Sequence, residues 1–225
     1  MDHATKTSIL LPESYEIAQF LGAQLEVEGM SNSIVVAIVP QGASLGLSLA
    51  ENLKLQLEVL PVREMKDPGA GTREIGVVTE HEMILSHCPF DVPQDYVYHE
   101  ALRLRAEIGN EKKSYCEGTI VTSLRNKNVI LVDAAVHCKG VMEACLQEVR
   151  SQSPSKIVVA AAYMPVDVER DIRALCDQLI VFEDRHWIMD PKKNLDRDVL
   201  EEVLLRDAIK VYRTLNIPDA TGCPR

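Results

Sequence analysis

The side chains best suited to chemistry lie in one stretch, NVILVDAAVHCKGVMEACL, which runs from Asn128 to Leu146. It begins as a continuous apolar strand, reaches a single acid at Asp133, turns, and becomes a helix. A carboxylate at the end of a buried strand can accept hydrogen bonds from sugar hydroxyls or orient a hydrated metal ion. The first N–H groups of the helix could hold a phosphate. Asp133 could equally be a turn acid or the N-cap of the helix.

Two other strand ends carry loops that could bind an anion. In VPQGAS, residues 39–44, Gly42 would let backbone N–H groups face an anion at the start of the next helix. That glycine could also serve only the backbone angles of an ordinary turn. VREMKDPGAGTREIG, residues 62–76, places two arginines and a lysine around a Pro-Gly turn. This loop could close over a ligand or form a surface hairpin.

Other kinds of site are less well supported by the sequence. The adjacent pair His137-Cys138 lacks the spacing of zinc ligands and is poorly arranged as a nucleophilic dyad. No resident metal is predicted, because His81, His87 and His99 form no recognisable cluster. Trp187 follows the last predicted strand and could stack on a planar base, although a lone tryptophan more often packs in a core.

Strands and helices alternate along the chain, which predicts an α/β fold with a mainly parallel sheet. The predicted strands are Ile34–Val39, Leu57–Val62, Ile75–Val78, Val129–Val132, Ile157–Ala162 and Leu179–Phe182. The predicted helices are 14–27, 44–53, 96–115, about 140–150 and 168–175, with an amphipathic C-terminal helix at about 198–215. Residues 64–74 are predicted to be a loop. Without a linker or repeat, we expect one domain over residues 1–225, with its core at about 30–190.

Composition narrows the class of protein. The chain has 225 residues, 46% hydrophobic residues and a net charge of −10. This acidity disfavours nucleic acid as a partner. No apolar run is long enough to span a membrane, and no secretory signal is evident. The six cysteines are scattered without a CxxC pair, which favours reduced thiols and a cytoplasmic location.

Taken together and in this order, the loops resemble those of type I phosphoribosyltransferases, in particular a bacterial subgroup of phosphoribosyltransferase-domain proteins. The similarity covers roughly residues 34–190. It is carried by Pro40-Gln41-Gly42-Ala43, Val62-Arg63-Glu64, Pro68-Gly69, Glu74-Ile75-Gly76, the long charged helix and the strand ending at Asp133. The resemblance implies a twisted, mainly parallel sheet flanked by helices, with a small hood and an inserted long helix.

The resemblance also implies a ligand site. In the family, two acids bind the ribose hydroxyls, a Thr-Gly-x-Thr loop holds the 5-phosphate of phosphoribosyl pyrophosphate, and the first turn holds the pyrophosphate with Mg²⁺. Catalysis there is positioning plus electrostatic stabilisation of the leaving group. Asp133 is the best catalytic candidate of this chain. The corresponding ligand-binding positions are Gln41, Gly42, Ala43, Arg63, Asp133, His137, Cys138, Lys139, Gly140 and Val141.

This chain departs from the family pattern at that site. The second acid is Ala134, the two loop threonines are Cys138 and Val141, and the arginine of the first turn is Gln41. A hydrogen bond to a charged group contributes about 1.5–3 kcal/mol, so these changes together remove several kcal/mol of recognition. Lys139 could restore part of it as a point charge on a phosphate.

We therefore expect a phosphoribosyltransferase-like protein whose standard catalysis is impaired. The alternatives are an active enzyme with an atypical 5-phosphate loop, which would use Mg²⁺ together with its pyrophosphate substrate, and a noncatalytic ligand sensor or oligomeric interaction module. A small phosphorylated ligand and a homodimer are the expected partners, and neither nucleic acid nor a membrane is. If the protein is active, it is a glycosyltransferase.

Overall fold

The central sheet consists of five parallel strands. In a computed structural model, residues 12–25, 32–69, 73–85, 92–117, 120–182 and 199–216 are described. The strands are β1 (Ser33–Val39), β2 (Gln56–Pro61), β6 (Asn128–Ala135), β7 (Lys156–Tyr163) and β8 (Gln178–Val181), in the order β2-β1-β6-β7-β8. Five of the six predicted strands, all but Ile75–Val78, lie in this sheet, and their continuous apolar runs are largely buried. The predicted parallel α/β fold is therefore confirmed.

Helices cover both faces of this sheet. They are α1 (Pro12–Gln24), α2 (Ala43–Leu53), α4 (Lys139–Ser151), α5 (Val166–Arg173) and the C-terminal α6 (Val199–Leu215). Successive side chains of a strand point to opposite faces, so β1 serves two cores. Val35, Ala37 and Val39 pack with α2, whereas Ile34, Val36 and Ile38 pack with α4.

A small second sheet forms the hood together with the long helix α3 (Gln94–Cys116). Its strands are β3 (Arg63–Lys66), β4 (Glu74–Val78) and β5 (Met83–Leu85), paired antiparallel in the order β3-β4-β5. Met65 and Ile75 of this sheet pack against Leu104 and Ile108 of α3. The prediction of a loop over residues 64–74 was therefore wrong in its first part, since residues 64–66 belong to β3. The short, charged sequence of β3 buries only Met65, too little for a periodic signal.

The C-terminal helix α6 packs back onto the domain. The Tyr212 hydroxyl donates to the carbonyl oxygens of Ala50 at 2.7 Å and Leu55 at 2.6 Å. The buried Arg213 guanidinium pairs with Glu58 of β2. Within the described residues, no helix is both long and apolar enough to cross a membrane.

Candidate functional site

The candidate site lies where β1 and β6 adjoin at the carboxyl edge of the sheet. The helices that follow these two strands, α2 and α4, cover opposite faces. The strand order therefore reverses here, and the carboxyl edge at such a switch point is where ligands bind in open α/β sheets. The first turn packs directly on β6. A Cβ added at Gly42 would lie 2.5 Å from the Val132 carbonyl oxygen and 3.1 Å from the Asp133 Cα, so only glycine fits at position 42.

The first turn leaves little room for a ligand on the side covered by α1. Gln41, Ser44 and Ala134 line a crevice there with Ser14 and other neighbours, and its volume is about 10 Å³. Ligand pockets usually measure about 300–1,000 Å³, whereas this crevice has room for about one water molecule. Ala43 is fully buried at the start of α2. The structure thus brings the predicted residues of the first turn next to the end of β6, in a closely packed arrangement.

Asp133 is buried, with 4% of its surface exposed. Its carboxylate accepts a long hydrogen bond of 3.4 Å from the Ala135 N–H. Burial raises the pKa of Asp133 to about 7, and hydrogen bonds from the backbone of Ala135 and Ala134 only partly oppose this. No ion pair to Asp133 forms among the described residues. An acid in this state keeps its proton to a much higher pH than an exposed carboxylate does.

The turn after β6 is short, because β6 continues to Ala135 and α4 begins at Lys139. Val136 is buried, and its N–H donates to the Tyr163 carbonyl oxygen at 3.0 Å. Val141 packs against the core between α4 and the sheet. His137 is exposed, with its ring 6.4 Å from that of Tyr163. The two valines therefore point into the core rather than across the turn.

The start of α4 keeps the geometry of an anion site. The first N–H groups of a helix have no partner within the helix. No side-chain oxygen caps them, although the amides of Val141 and Gly140 face the Cys138 sulfur. The amides of Gly140 and Val141 belong to this first turn. Backbone amides at a helix start favour an anion. The predicted residues of the turn are thus brought together where a phosphate could bind.

The Lys139 ammonium is already paired with carboxylates of the protein. Its ammonium lies 3.1 Å from Asp171 of α5 and 3.3 Å from Glu143 one turn along α4. Hydrogen bonds to Asp171 and Glu143 raise the pKa of Lys139, so it stays charged. Two carboxylates already compensate that single charge, which leaves little attraction for a phosphate.

An acid from the hood reaches the start of α4. The Cys138 thiol donates to the Glu74 carboxylate, with Sγ and Oε2 3.3 Å apart. Burial raises the pKa of the Cys138 thiol. The N–H groups of Val141 and Gly140, which face its sulfur, oppose this effect, and Glu74 adds to it. A negative charge thus already lies beside the helix start. No sequence pattern indicates this contact, because the two residues are 64 positions apart.

Arg63 is not close to this contact. Its guanidinium bonds to the Val62 carbonyl oxygen at 2.9 Å and to Glu111 of α3. Along the β3–β4 ladder, Arg63 pairs with Val78 and Lys66 pairs with Glu74. Arg63 is therefore about 13 Å along the hairpin from Glu74. Trp187, which could stack on a base, lies outside the described residues.

Comparisons with known proteins support the fold but no family membership. No protein-family model matches the chain, and no curated protein matches it. Among solved structures, it is similar to TT1426 from Thermus thermophilus, at 21% identity and a TM-score of 0.68, over 88% of this chain and 97% of that one.

Two further similar structures have lower TM-scores. A purine phosphoribosyltransferase from Pyrococcus horikoshii has 13% identity and a TM-score of 0.39, over 76% of this chain and 84% of that one. The APRTase from Giardia lamblia, complexed with 9-deazaadenine, has 13% identity and a TM-score of 0.44, over 76% of this chain and 80% of that one.

The architecture is the one that the sequence resemblance implied. It combines a parallel five-stranded sheet flanked by helices, a hood with an inserted long helix, and a strand–turn–helix at the switch point. The fold expected from the resemblance is therefore the observed one, and the similarity to TT1426 supports it.

Proposed function

We propose that this protein derives from enzymes that use phosphoribosyl pyrophosphate and that its standard transfer chemistry is impaired. The observation that carries the proposal is the state of Asp133, the single acid left of the family's pair. It is buried, has no cationic partner among the described residues, and has a pKa raised to about 7. A carboxyl group in this state is poorly suited to binding ribose hydroxyls or stabilising positive charge on the ring.

The remaining charges of the site support the same proposal. A polyphosphate binds where cations and N–H groups are free to meet it. Here Lys139 is compensated by Glu143 and Asp171, and Glu74 lies beside the helix start. The site therefore attracts an anion weakly, and we expect at most a small phosphorylated ligand to bind at the amides of α4.

Mg²⁺ does not fit this site without a substrate. The ion takes near-ideal octahedral oxygen coordination and keeps several of its waters. Asp133 is the one carboxyl group at the end of β6, and burial leaves little room there for a hydrated ion. If the protein binds phosphoribosyl pyrophosphate, Mg²⁺ would enter with the pyrophosphate group.

Two measurements test the proposal. In the first, pyrophosphate release from phosphoribosyl pyrophosphate is followed with Mg²⁺ and a set of purine and pyrimidine bases. We expect no release above that of the Asp133→Asn variant. In the second, calorimetric titration with the same ligand and Mg²⁺ is expected to show binding no tighter than millimolar. Turnover, or micromolar binding, that D133N abolishes would show an active enzyme and overturn the proposal.

We also propose a homodimer in the cytoplasm, as expected from the sequence. Apolar side chains exposed on α6, among them Val211 and Leu215, are compatible with a subunit contact. Light scattering coupled to size exclusion tests the oligomeric state. A monomer at tens of micromolar protein would refute the dimer.

A further inference from the structure

We propose a second site, for a divalent transition metal of the zinc class, between the hood and α4. Its ligands are Glu80 and His81, from the turn between β4 and β5, and Glu148 of α4. One ligand atom from each residue lies within 4.8 Å of the others. This place is separate from the candidate phosphate site, because Glu148 lies in the last turn of α4 whereas that site is at its first.

The Glu148 carboxylate is buried and held in a fixed orientation beside His81. Its side chain is 1% exposed. Oε2 accepts hydrogen bonds from the Thr79 hydroxyl at 2.8 Å and from the His81 N–H at 3.0 Å. Oε1 lies 2.6 Å from His81 Nδ1. Partners that orient a ligating carboxylate in this way are typical of metal sites, and a buried carboxylate requires compensation by a cation or by donors.

The ligand types select the class of metal. One imidazole nitrogen and two carboxylate oxygens suit Zn²⁺ and similar ions, whereas Mg²⁺ and Ca²⁺ prefer oxygen ligands alone. With bonds of about 2.0–2.2 Å, the ligand atoms of a tetrahedral site lie roughly 3.3 Å apart. His81 Nδ1 and Glu148 Oε1, now 2.6 Å apart, would have to separate to this distance, and Glu80 would have to adjust to it. The side chains of His81 and Glu80 can move in this way because they are 66% and 35% exposed. A water molecule would take the fourth position.

Lys112 of α3 would compete with a metal ion for Glu80. Its ammonium contacts the Glu80 carboxylate, so it occupies one proposed ligand and repels a metal cation. In addition, Arg105 of α3 donates to the His81 carbonyl oxygen at 3.1 Å. A bound metal would therefore join the β4–β5 turn to α4 at a point that α3 also contacts. We infer that it fixes the hood on the central domain.

The test uses the full chain, stripped of metal with a chelator and titrated with Co²⁺ by visible absorption, then with Zn²⁺ in competition. We expect one Co²⁺ per chain at this site, with the intense visible bands of a four-coordinate ion. His81→Ala and, separately, Glu80→Gln should each weaken binding at least about tenfold. Lys112→Met should tighten it. His99→Ala, which removes an exposed histidine of α3, is the matched control and should bind as the wild type does.

Thermal unfolding gives an independent measurement. A ligand that binds only the folded state raises Tm, so Zn²⁺ should raise the Tm of the wild type and of H99A, but not that of H81A. Mg²⁺ should have no such effect. Equal Co²⁺ affinity of wild type, H81A and E80Q would overturn the proposal, as would no binding by the wild type at millimolar Co²⁺. Neither result depends on whether the protein binds a phosphorylated ligand.

Discussion

Asp133→Asn should make the protein more stable than the wild type at neutral and alkaline pH. The folded state raises the pKa of this carboxyl group from an ordinary 3.8 to about 7 because the group is buried. Between these two pH values the folded state binds a proton that the unfolded state has released. Stability is therefore fully present below the lower value and is lost as pH rises through the higher one. Asparagine has the same shape and never ionises.

The size of the effect follows from the shift. One pKa unit corresponds to about 1.4 kcal/mol, so a shift of roughly three units is on the order of 4 kcal/mol. Between pH 5 and pH 8 the free energy of unfolding of the variant, relative to the wild type, should rise by roughly 2–3 kcal/mol. Above pH 8 the difference should be constant.

Urea unfolding followed by circular dichroism, at constant ionic strength across this pH range, measures the difference. Asp207→Asn is the control: it removes a carboxylate that is 62% exposed on α6, and its pH dependence should match that of the wild type. If the difference between D133N and wild type were the same at pH 5 and pH 8, the carboxyl group would not be penalised by burial. Asp133 would then be available as an ionised ligand, and the case for impaired catalysis would fail with it.

Three further predictions concern the site and its support. Glu74→Gln removes a negative charge from beside Cys138 and should increase the affinity for inorganic phosphate, by calorimetry; an unchanged affinity would refute the proposed competition. Gly42→Ala places a Cβ 2.5 Å from a backbone carbonyl oxygen of β6 and should cost about 1–3 kcal/mol in urea unfolding, so a wild-type midpoint would contradict the packing. Arg213→Met leaves Glu58 buried without its ion-pair partner and should cost about 3–5 kcal/mol, measured in the same way, whereas a loss below about 1 kcal/mol would show that the pair is not buried in solution.

The strands of the central sheet could be predicted because each carries its own signal. A continuous apolar run such as Val129–Val132 is recognisable without its neighbours, and the structure extends it only to Asn128–Ala135. In the hood, only β4 was found in this way, as the predicted strand Ile75–Val78. Its β5 has three residues, of which two are exposed, and its pairing with β4 depends on a turn held by Glu148 from a distant helix.

The sequence predicted which residues would lie around the end of β6, but it did not predict the ion pairs and pKa shifts found there. The pairing of Lys139 with Glu143 could have been expected, since residues four apart adjoin on a helix. Its pairing with Asp171 depends on how α5 lies beside α4, which local patterns do not encode. The contact of Glu74 with Cys138 likewise depends on where the hood is placed. The raised pKa of Asp133 follows from burial, a property of the assembled fold.

These contacts all weaken the attraction of the site for an anion. An enzyme that binds a polyanion keeps cations and donors unpaired for its substrate, and this arrangement costs stability. In this chain Lys139 is paired by two acids, and the helix start has a carboxylate beside it. The charges of the site are therefore paired with one another and are not left unpaired for a ligand. Among the described residues of the site, Asp133 is a carboxyl group that burial penalises at neutral pH, so the stability gained by D133N measures how much free energy it costs the protein to keep a carboxyl group there.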